Sequence, residues 1–221
     1  MLRVCAIRCA NGISRSEETT LTRTVLLACV LLSTLSLAAQ ESENTTEYGF
    51  WSGGNFATGH IVGYSKDQHL VPFGLMWAPV LTRHRHFAVR YRAELFPAVF
   101  LHDDRYASSG KSQPRGMRWV YGGGASPVGA QVDFGGPARI RPFFEVTGGF
   151  LYFTSRILGY DATQFNFTLA PGVGTHIAIS PRTALMIGYK YHHMSNAELH
   201  HENPGLDSQE LYFGVAFFRR R

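Results

Sequence analysis

The sequence predicts an all-β fold, an eight-stranded antiparallel transmembrane β-barrel, and three observations lead to this prediction. First, the chain breaks into strand-length apolar runs separated by turn-rich stretches, with no helical apolar periodicity of useful length. Second, apolar and polar side chains alternate within the runs. Third, the 16 Phe, 10 Tyr and 23 Gly are typical of an aromatic, turn-rich β protein. Eight or so strands in a chain of this length fit a small up-and-down barrel.

Residues 1–39 are predicted to be a signal peptide, and residues 40–221 a single outer-membrane barrel domain. Basic residues up to Arg23 precede the apolar run Val25–Leu32, and Ser36-Leu37-Ala38 offers small residues for cleavage. The apolar run is too short to span a bilayer comfortably. All three cysteines of the chain lie in this leader, so the exported domain needs neither disulfide nor thiolate chemistry.

The predicted mature domain has a small net charge. It carries 17 Lys and Arg against 14 Asp and Glu, which gives +3, and three of the positive charges are the terminal Arg219–Arg221. A net charge this small does not favour a nucleic-acid binder. The polar residues 40–47 are predicted to be a flexible lead-in to the first strand.

Nine strand-like runs follow in order along the domain. They are Tyr48–His60, Leu70–Leu81, Phe87–Leu101, Met117–Ala125, Val128–Phe134, Ile140–Thr154, Phe165–Ile177, Thr183–His193 and Leu206–Phe218.

Alternation within these runs separates apolar side chains from charged ones. In the third run, Phe87, Val89 and Tyr91 share one face of the strand, and Arg90 and Arg92 share the other. A soluble barrel turns its apolar face inward, whereas an outer-membrane barrel turns it toward lipid. Aromatic residues near the strand ends suit a membrane-interface girdle and favour the membrane barrel.

The charged faces of different runs carry both signs in similar number, which suits a closed network of ion pairs inside a narrow barrel. The residues that provide this balance are Arg90, Arg92, Arg141, Glu94, Glu145 and Glu210.

The candidate functional residues lie near the C-terminus, in Tyr189–Asn196 and the segment that follows it. His193 and Ser195 are two residues apart in a strand, so their side chains point the same way. Asp207 has the outward parity of the next strand and can arrive beside His193. These are the residue types of a hydrolase in which serine is the nucleophile, histidine the general base and a carboxylate its orienting partner.

Two amide side chains, those of Asn196 and Asn203, are the nearest donors for an oxyanion, with backbone N–H groups as competitors. The three candidate catalytic side chains fall on the lipid-facing wall near one rim of the barrel. A hydrophilic nucleophile at this height suits an ester that is itself part of a lipid.

A metal site is the alternative interpretation of this region, because histidine and carboxylate side chains are suitable zinc ligands. The residues concerned are His192, His193, His200, His201 and Glu202. Their spacing fits no recognised helical pattern, and His192 and His193 point to opposite sides of the strand. No metal and no cofactor is predicted.

At these residues the sequence resembles the lipid A 3-O-deacylase (PagL) family of outer-membrane esterases. The resemblance rests on His193-x-Ser195-Asn196, then Asn203-Pro204-Gly205, then the carboxylate of Asp207. It implies an eight-stranded barrel that removes the 3-O-linked acyl chain of lipid A without a metal.

The resemblance also implies residue roles: Ser195 as nucleophile, His193 as base and Asp207 as acid, with Asn196 and Asn203 as polar supports. Family members often have Glu at the acid position, and Asp207 is one methylene shorter. Two other carboxylates could replace it as the acid, namely Glu202 in the loop and Glu210, which has the opposite parity.

The sequence therefore predicts a serine hydrolase in the outer membrane of a Gram-negative-type bacterium, with lipid A or lipopolysaccharide as substrate and outer-membrane lipids around it. Whether a second copy of the chain is also a partner stays open. Two other classes of function remain as alternatives. One is a non-catalytic small barrel that serves structure or adhesion, and the other is a soluble lipid-binding barrel.

Overall fold

The computed structural model describes residues 45–106 and 114–220. The predicted signal peptide, residues 1–39, lies outside this part of the chain and stays a prediction. No helix in the described ranges is long and apolar enough to cross a membrane.

The described chain forms nine β-strand segments joined in antiparallel pairs. They are β1 Thr45–Gly59, β2 His69–Arg83, β3 Phe87–Tyr91, β4 Ala93–Tyr106, β5 Pro114–Phe134, β6 Ile140–Phe153, β7 Phe165–Ser180, β8 Thr183–Ser195 and β9 Leu206–Arg220. β3 and β4 both lie between β2 and β5, so they are two halves of one staggered strand. β1 pairs with both β2 and β9, which closes the ring. The prediction of an all-β, eight-stranded antiparallel barrel is confirmed.

Two of the predicted strand divisions were wrong. The run Phe87–Leu101 is interrupted at Arg92, whose N–H donates to the carbonyl of Gly129 at 3.0 Å beside a shift in strand register. Conversely, the two predicted runs on either side of Pro127 form the single 21-residue strand β5. A proline cannot donate to the ladder, but here it lies in a β-bulge between Ala125 and Val128, where no ladder bond is needed.

The predicted lead-in of residues 40–47 was wrong at its C-terminal end. β1 already begins at Thr45, and its early residues pair with the last residues of β9. Glu47 is fully buried, and its carboxylate lies 2.8 Å from His176 Nε2. Glu47 is therefore an interior residue of the barrel, and its polar character did not mark it as part of a lead-in because the barrel interior is itself polar.

Apolar side chains cover the outside of the barrel wall. Phe50, Phe144 and Phe213 are 51%, 59% and 69% exposed, whereas Arg90 and Arg92 on the inward face are completely buried. This arrangement is the reverse of a soluble barrel and is the one that a lipid environment favours.

The barrel interior holds a network of buried ion pairs. Arg92 lies 2.7 Å from Glu94 and 2.9 Å from Glu145, and Lys190 Nζ lies 2.8 Å from Glu94. The predicted network is thus present around Arg92, with Lys190 as an additional cation. Each buried charge in this group has an opposite charge within ion-pair distance, as burial requires.

Other members of the predicted network have partners outside it, and Arg90 Nε lies 2.5 Å from Asp133 Oδ2. Glu210 contacts His192 Nδ1 at 3.0 Å, and the Arg141 guanidinium lies over the ring of Phe218 at 4.7 Å. The sequence pattern identified which side chains face inward, but the partner of each depends on how the strands close around the interior.

The two ends of the barrel differ. At one end the connections are short, covering residues 84–86, 135–139 and 181–182. β1 begins and β9 ends at this same end. At the other end lie the longer connections 60–68, 154–164 and 196–205. In outer-membrane barrels the short turns face the periplasm and the long loops face outward. The candidate site lies at the long-loop end.

Candidate active site

His193 and Asp207 lie directly opposite each other on neighbouring strands. They are cross-strand partners in the β8–β9 ladder, and His193 Nδ1 lies 2.6 Å from Asp207 Oδ1. The flanking Met194 and Leu206 are buried in the interior, so the alternation of the strands turns His193 and Asp207 toward the outside. A bond this short is typical of an ionised carboxylate with an N–H donor.

Asp207 is completely buried although it faces outward, because the β1–β2 connection folds over it. Its second oxygen, Oδ2, accepts hydrogen bonds from the backbone N–H groups of Ile61, Val62 and Gly63 at 2.9, 2.9 and 3.0 Å. His193, in contrast, keeps 18% of its side chain exposed. The acid is therefore shielded while the imidazole remains accessible.

Ser195 is the last residue of β8 and shares the outward face with His193. It is partly exposed and lies opposite Phe167 of β7. Among the described residues, no hydrogen bond joins Ser195 to His193. Catalytic hydrogen bonds are often long in enzymes without substrate and tighten when substrate binds. The structure thus brings the predicted nucleophile and the predicted base to the same face of one strand end, two residues apart.

Asn196 and Asn203 brace the loop that follows β8. The backbone N–H of Asn196 donates to Asn203 Oδ1 at 3.0 Å, and Asn196 Nδ2 donates to the carbonyl of Glu202 at 2.7 Å. Asn196 Oδ1 in turn accepts the N–H of Glu198 at 3.0 Å. These bonds fix the path of the chain immediately after Ser195, and none of them reaches the serine itself.

The two alternative acids have other contacts. Glu210 faces the interior with His192, and Glu202 Oε2 accepts the N–H of Asp161 at 3.1 Å, in the neighbouring β6–β7 loop. Of the three carboxylates considered, Asp207 is the one bonded to His193. Within the described ranges, no group of histidine, cysteine and carboxylate side chains is arranged to hold a metal ion.

The surroundings of the site are apolar. Ile61 and Tyr64 in the covering loop are 80% and 76% exposed, and Phe167, Leu169 and Leu211 on the adjacent strands are about half exposed. A substrate that approaches Ser195 therefore meets apolar side chains both beside the site and along the wall below it. Such surroundings suit a lipid better than a small polar ester.

Sequence reasoning missed the contribution of residues 61–63. Their contacts with Asp207 use backbone N–H groups, which every residue except proline possesses. The hydrogen-bonding groups themselves therefore gave no residue-type signal.

The comparisons with known proteins agree with the fold and identify a family. The family model for lipid A 3-O-deacylase (PagL) matches residues 85–216, which include all the candidate site residues on β8, β9 and their loop. No curated protein sequence matches the chain.

Several solved structures are similar to the chain to different degrees. The outer membrane enzyme PagL is 18% identical, with 76% of this chain and 97% of that chain covered and a TM-score of 0.53. Neisserial surface protein A (NspA) is 16% identical, with coverages of 78% and 96% and a TM-score of 0.44. The attachment invasion locus protein Ail of Yersinia pestis is 14% identical, with coverages of 80% and 100% and a TM-score of 0.47.

Proposed function

The chain belongs to the lipid A 3-O-deacylase (PagL) family, and on this premise we propose that it hydrolyses the ester that holds the 3-O-linked acyl chain of lipid A, using Ser195, His193 and Asp207. It is an outer-membrane protein of a Gram-negative-type bacterium and a lipid A deacylase by family. The proposal adds the ester position and the residues that act on it.

The observation that carries the proposal is the His193–Asp207 pair at 2.6 Å, on the outward face and two residues from Ser195. A carboxylate only accepts hydrogen bonds, so His193 Nδ1 carries the proton, and Nε2 is left with a lone pair. That nitrogen can take the proton of Ser195 Oγ as the oxygen attacks the acyl carbonyl carbon.

The reaction then proceeds in two halves. In the first, the tetrahedral intermediate collapses as His193 gives its proton to the departing sugar oxygen, which leaves the acyl chain on Ser195 Oγ. In the second, His193 takes a proton from water, whose oxygen attacks the acyl carbonyl, and returns it to Ser195. Asp207 stays ionised throughout and stabilises the imidazolium that forms in each half.

Asn196 and Asn203 are proposed as supports of the nucleophile. The bonds from Asn196 to Asn203 Oδ1 and to the carbonyl of Glu202 hold the backbone that follows Ser195. An amide group of either asparagine, or a backbone N–H of the loop, is the candidate donor to the oxyanion. Replacing either asparagine should therefore lower the rate of acyl release while the barrel stays folded.

The position of the site suits a substrate embedded in the membrane. The three side chains face outward at the long-loop end of the barrel, above a wall of exposed apolar residues. An acyl chain can lie along this wall while its ester linkage reaches the level of Ser195, so the lipid does not need to leave the bilayer.

The deciding experiment compares Ser195→Ala with Ser208→Ala. Ser208 lies on β9, is completely buried and faces the interior, so it is a matched control for the loss of one hydroxyl. Purified lipopolysaccharide of several lipid A types is incubated with each refolded protein, and lipid A is analysed by mass spectrometry. We expect acyl loss with wild type and Ser208→Ala and none with Ser195→Ala, all three showing heat-modifiable gel mobility. An unchanged lipid A mass with folded wild type would refute the proposal.

A further inference from the structure

We infer that the loop between β1 and β2 is a working part of the catalytic apparatus, in which the backbone N–H groups of Ile61, Val62 and Gly63 hold Asp207 in position to orient His193. These three are positioning residues, because they act on the substrate only through the acid. The inference rests on the proposed function and extends the site to a segment that lies 144 to 146 residues before Asp207 in the chain.

The two oxygens of Asp207 have separate roles. Oδ1 contacts the imidazole, and Oδ2 accepts all three loop N–H groups, so the carboxylate can neither rotate nor shift without losing bonds. Since Asp207 has no exposed surface, these donors also replace the water that an ionised carboxylate needs. The loop therefore fixes both the orientation and the charge state of the acid.

The loop is held against the site by close backbone contact with the β8–β9 connection. The N–H of Tyr64 donates to the carbonyl of Pro204 at 2.7 Å, and that of Ser65 donates to Gly205 at 3.1 Å. At Gly63 an added Cβ would lie 2.8 Å from the carbonyl carbon of Gly205 and 3.0 Å from the nitrogen of Leu206. This approach is therefore open only to glycine at position 63.

The side chains of the loop do not take part in this contact. Ile61 and Val62 are 80% and 56% exposed, while their N–H groups point at the buried carboxylate. The identity of these two side chains is thus free to serve contact with lipid, whereas the path of the backbone is fixed by Gly63 and Gly205.

The test is Gly63→Ala, with Gly54→Ala as the matched control. An added Cβ at Gly54, within β1, meets its nearest atom at 3.7 Å, an ordinary contact, so this control adds the same methyl group to the preceding strand without displacement. We expect Gly63→Ala to lower kcat for acyl release by up to about 100-fold, which is the cost of a displacement of about 1 Å at a catalytic group. KM and heat-modifiable mobility should stay close to those of wild type.

A double-mutant cycle with Asp207→Ala separates positioning from a direct effect on substrate. If the loop acts through the acid, adding Gly63→Ala to Asp207→Ala should not reduce the residual rate further. A further reduction equal to that seen in the wild-type background would overturn the inference. Val62→Pro, which removes one donor to Oδ2, provides a second variant and should behave in the same way.

The outcomes distinguish this inference from the function on which it rests. Inactive, folded wild type refutes the deacylase proposal. Active wild type with equally active Gly63→Ala and Val62→Pro refutes the role of the loop and leaves the deacylase proposal standing.

Discussion

Replacing Asp207 with glutamate tests how closely the acid is fitted to its surroundings. The resemblance to the family implies that glutamate often occupies the acid position, so the substitution would be neutral if only the type of residue mattered. The structure leads to the opposite expectation, because Asp207 is fully buried and bonded at both oxygens. We expect Asp207→Glu to impair the enzyme rather than improve it.

The size of the effect follows from the geometry. The extra methylene lengthens the side chain by about 1.5 Å, while Oδ1 has its partner at 2.6 Å and Oδ2 has three partners at 2.9 to 3.0 Å. A glutamate that keeps the histidine bond must move away from the loop donors or push the loop outward. A shift of about 1 Å lowers the rate about 100-fold, which corresponds to about 2.7 kcal/mol of transition-state stabilisation.

The assay is the initial rate of acyl release from purified lipopolysaccharide, measured by mass spectrometry for wild type, Asp207→Glu and Asp207→Ala. Asp207→Ala should lose about 10⁴-fold, the loss that follows when a catalytic histidine is left without its orienting carboxylate. Asp207→Glu should lie between the other two. Heat-modifiable mobility confirms that each variant has folded.

Wild-type activity in Asp207→Glu would refute the reasoning, since it would mean that the loop donors do not constrain the carboxylate. An activity as low as that of Asp207→Ala would show that the glutamate cannot reach the imidazole at all. If Asp207→Glu is partly active and the additional replacement Gly63→Ala raises that activity, the loop constrains the carboxylate, because displacing the loop would make room for the longer side chain.

Three further changes test the interior and the loop. His192→Ala should keep acyl release but destabilise the barrel by about 1–3 kcal/mol in urea titrations, because Glu210 stays buried without its imidazole partner. Lys190→Met should cost about 3–5 kcal/mol in the same titration, because Glu94 loses an ammonium group at 2.8 Å; an unchanged midpoint would speak against the ion-pair network. Gly205→Ala should reduce the rate of acyl release about tenfold, because φ is +63° and an added Cβ would lie 3.3 Å from the imidazole of His193, the proposed base; full activity would contradict this.

The sequence was sufficient for the features that depend on local pattern. Alternation with a period of two separated Phe87, Val89 and Tyr91 from Arg90 and Arg92. Aromatic residues near the strand ends then favoured an outward apolar face, and the burial of these residues agrees. The same parity rule predicted that His193, Ser195 and Asp207 face outward at one rim. Strands that follow each other in the chain tend to pair, so the approach of β8 and β9 could also be anticipated.

Features that depend on chain closure could not be anticipated. Glu47 looked like part of a flexible lead-in, because its burial depends on β1 pairing with β9 across the whole chain length. Met117–Ala125 and Val128–Phe134 looked like two strands, because the bulge that joins them is defined by the partner strand. The partners of Glu210 and Arg141 likewise depend on which side chains meet inside the closed ring.

By itself, the sequence determined the barrel class, the inward and outward faces, and the outward convergence of histidine, serine and aspartate, because these follow from the geometry of single strands and one hairpin. Only the tertiary structure decided that Asp207 is buried and held by the distant β1–β2 loop. The physical reason is that the holding groups are backbone N–H donors, which carry no residue signature, and that closure of the ring is what brings them to the acid.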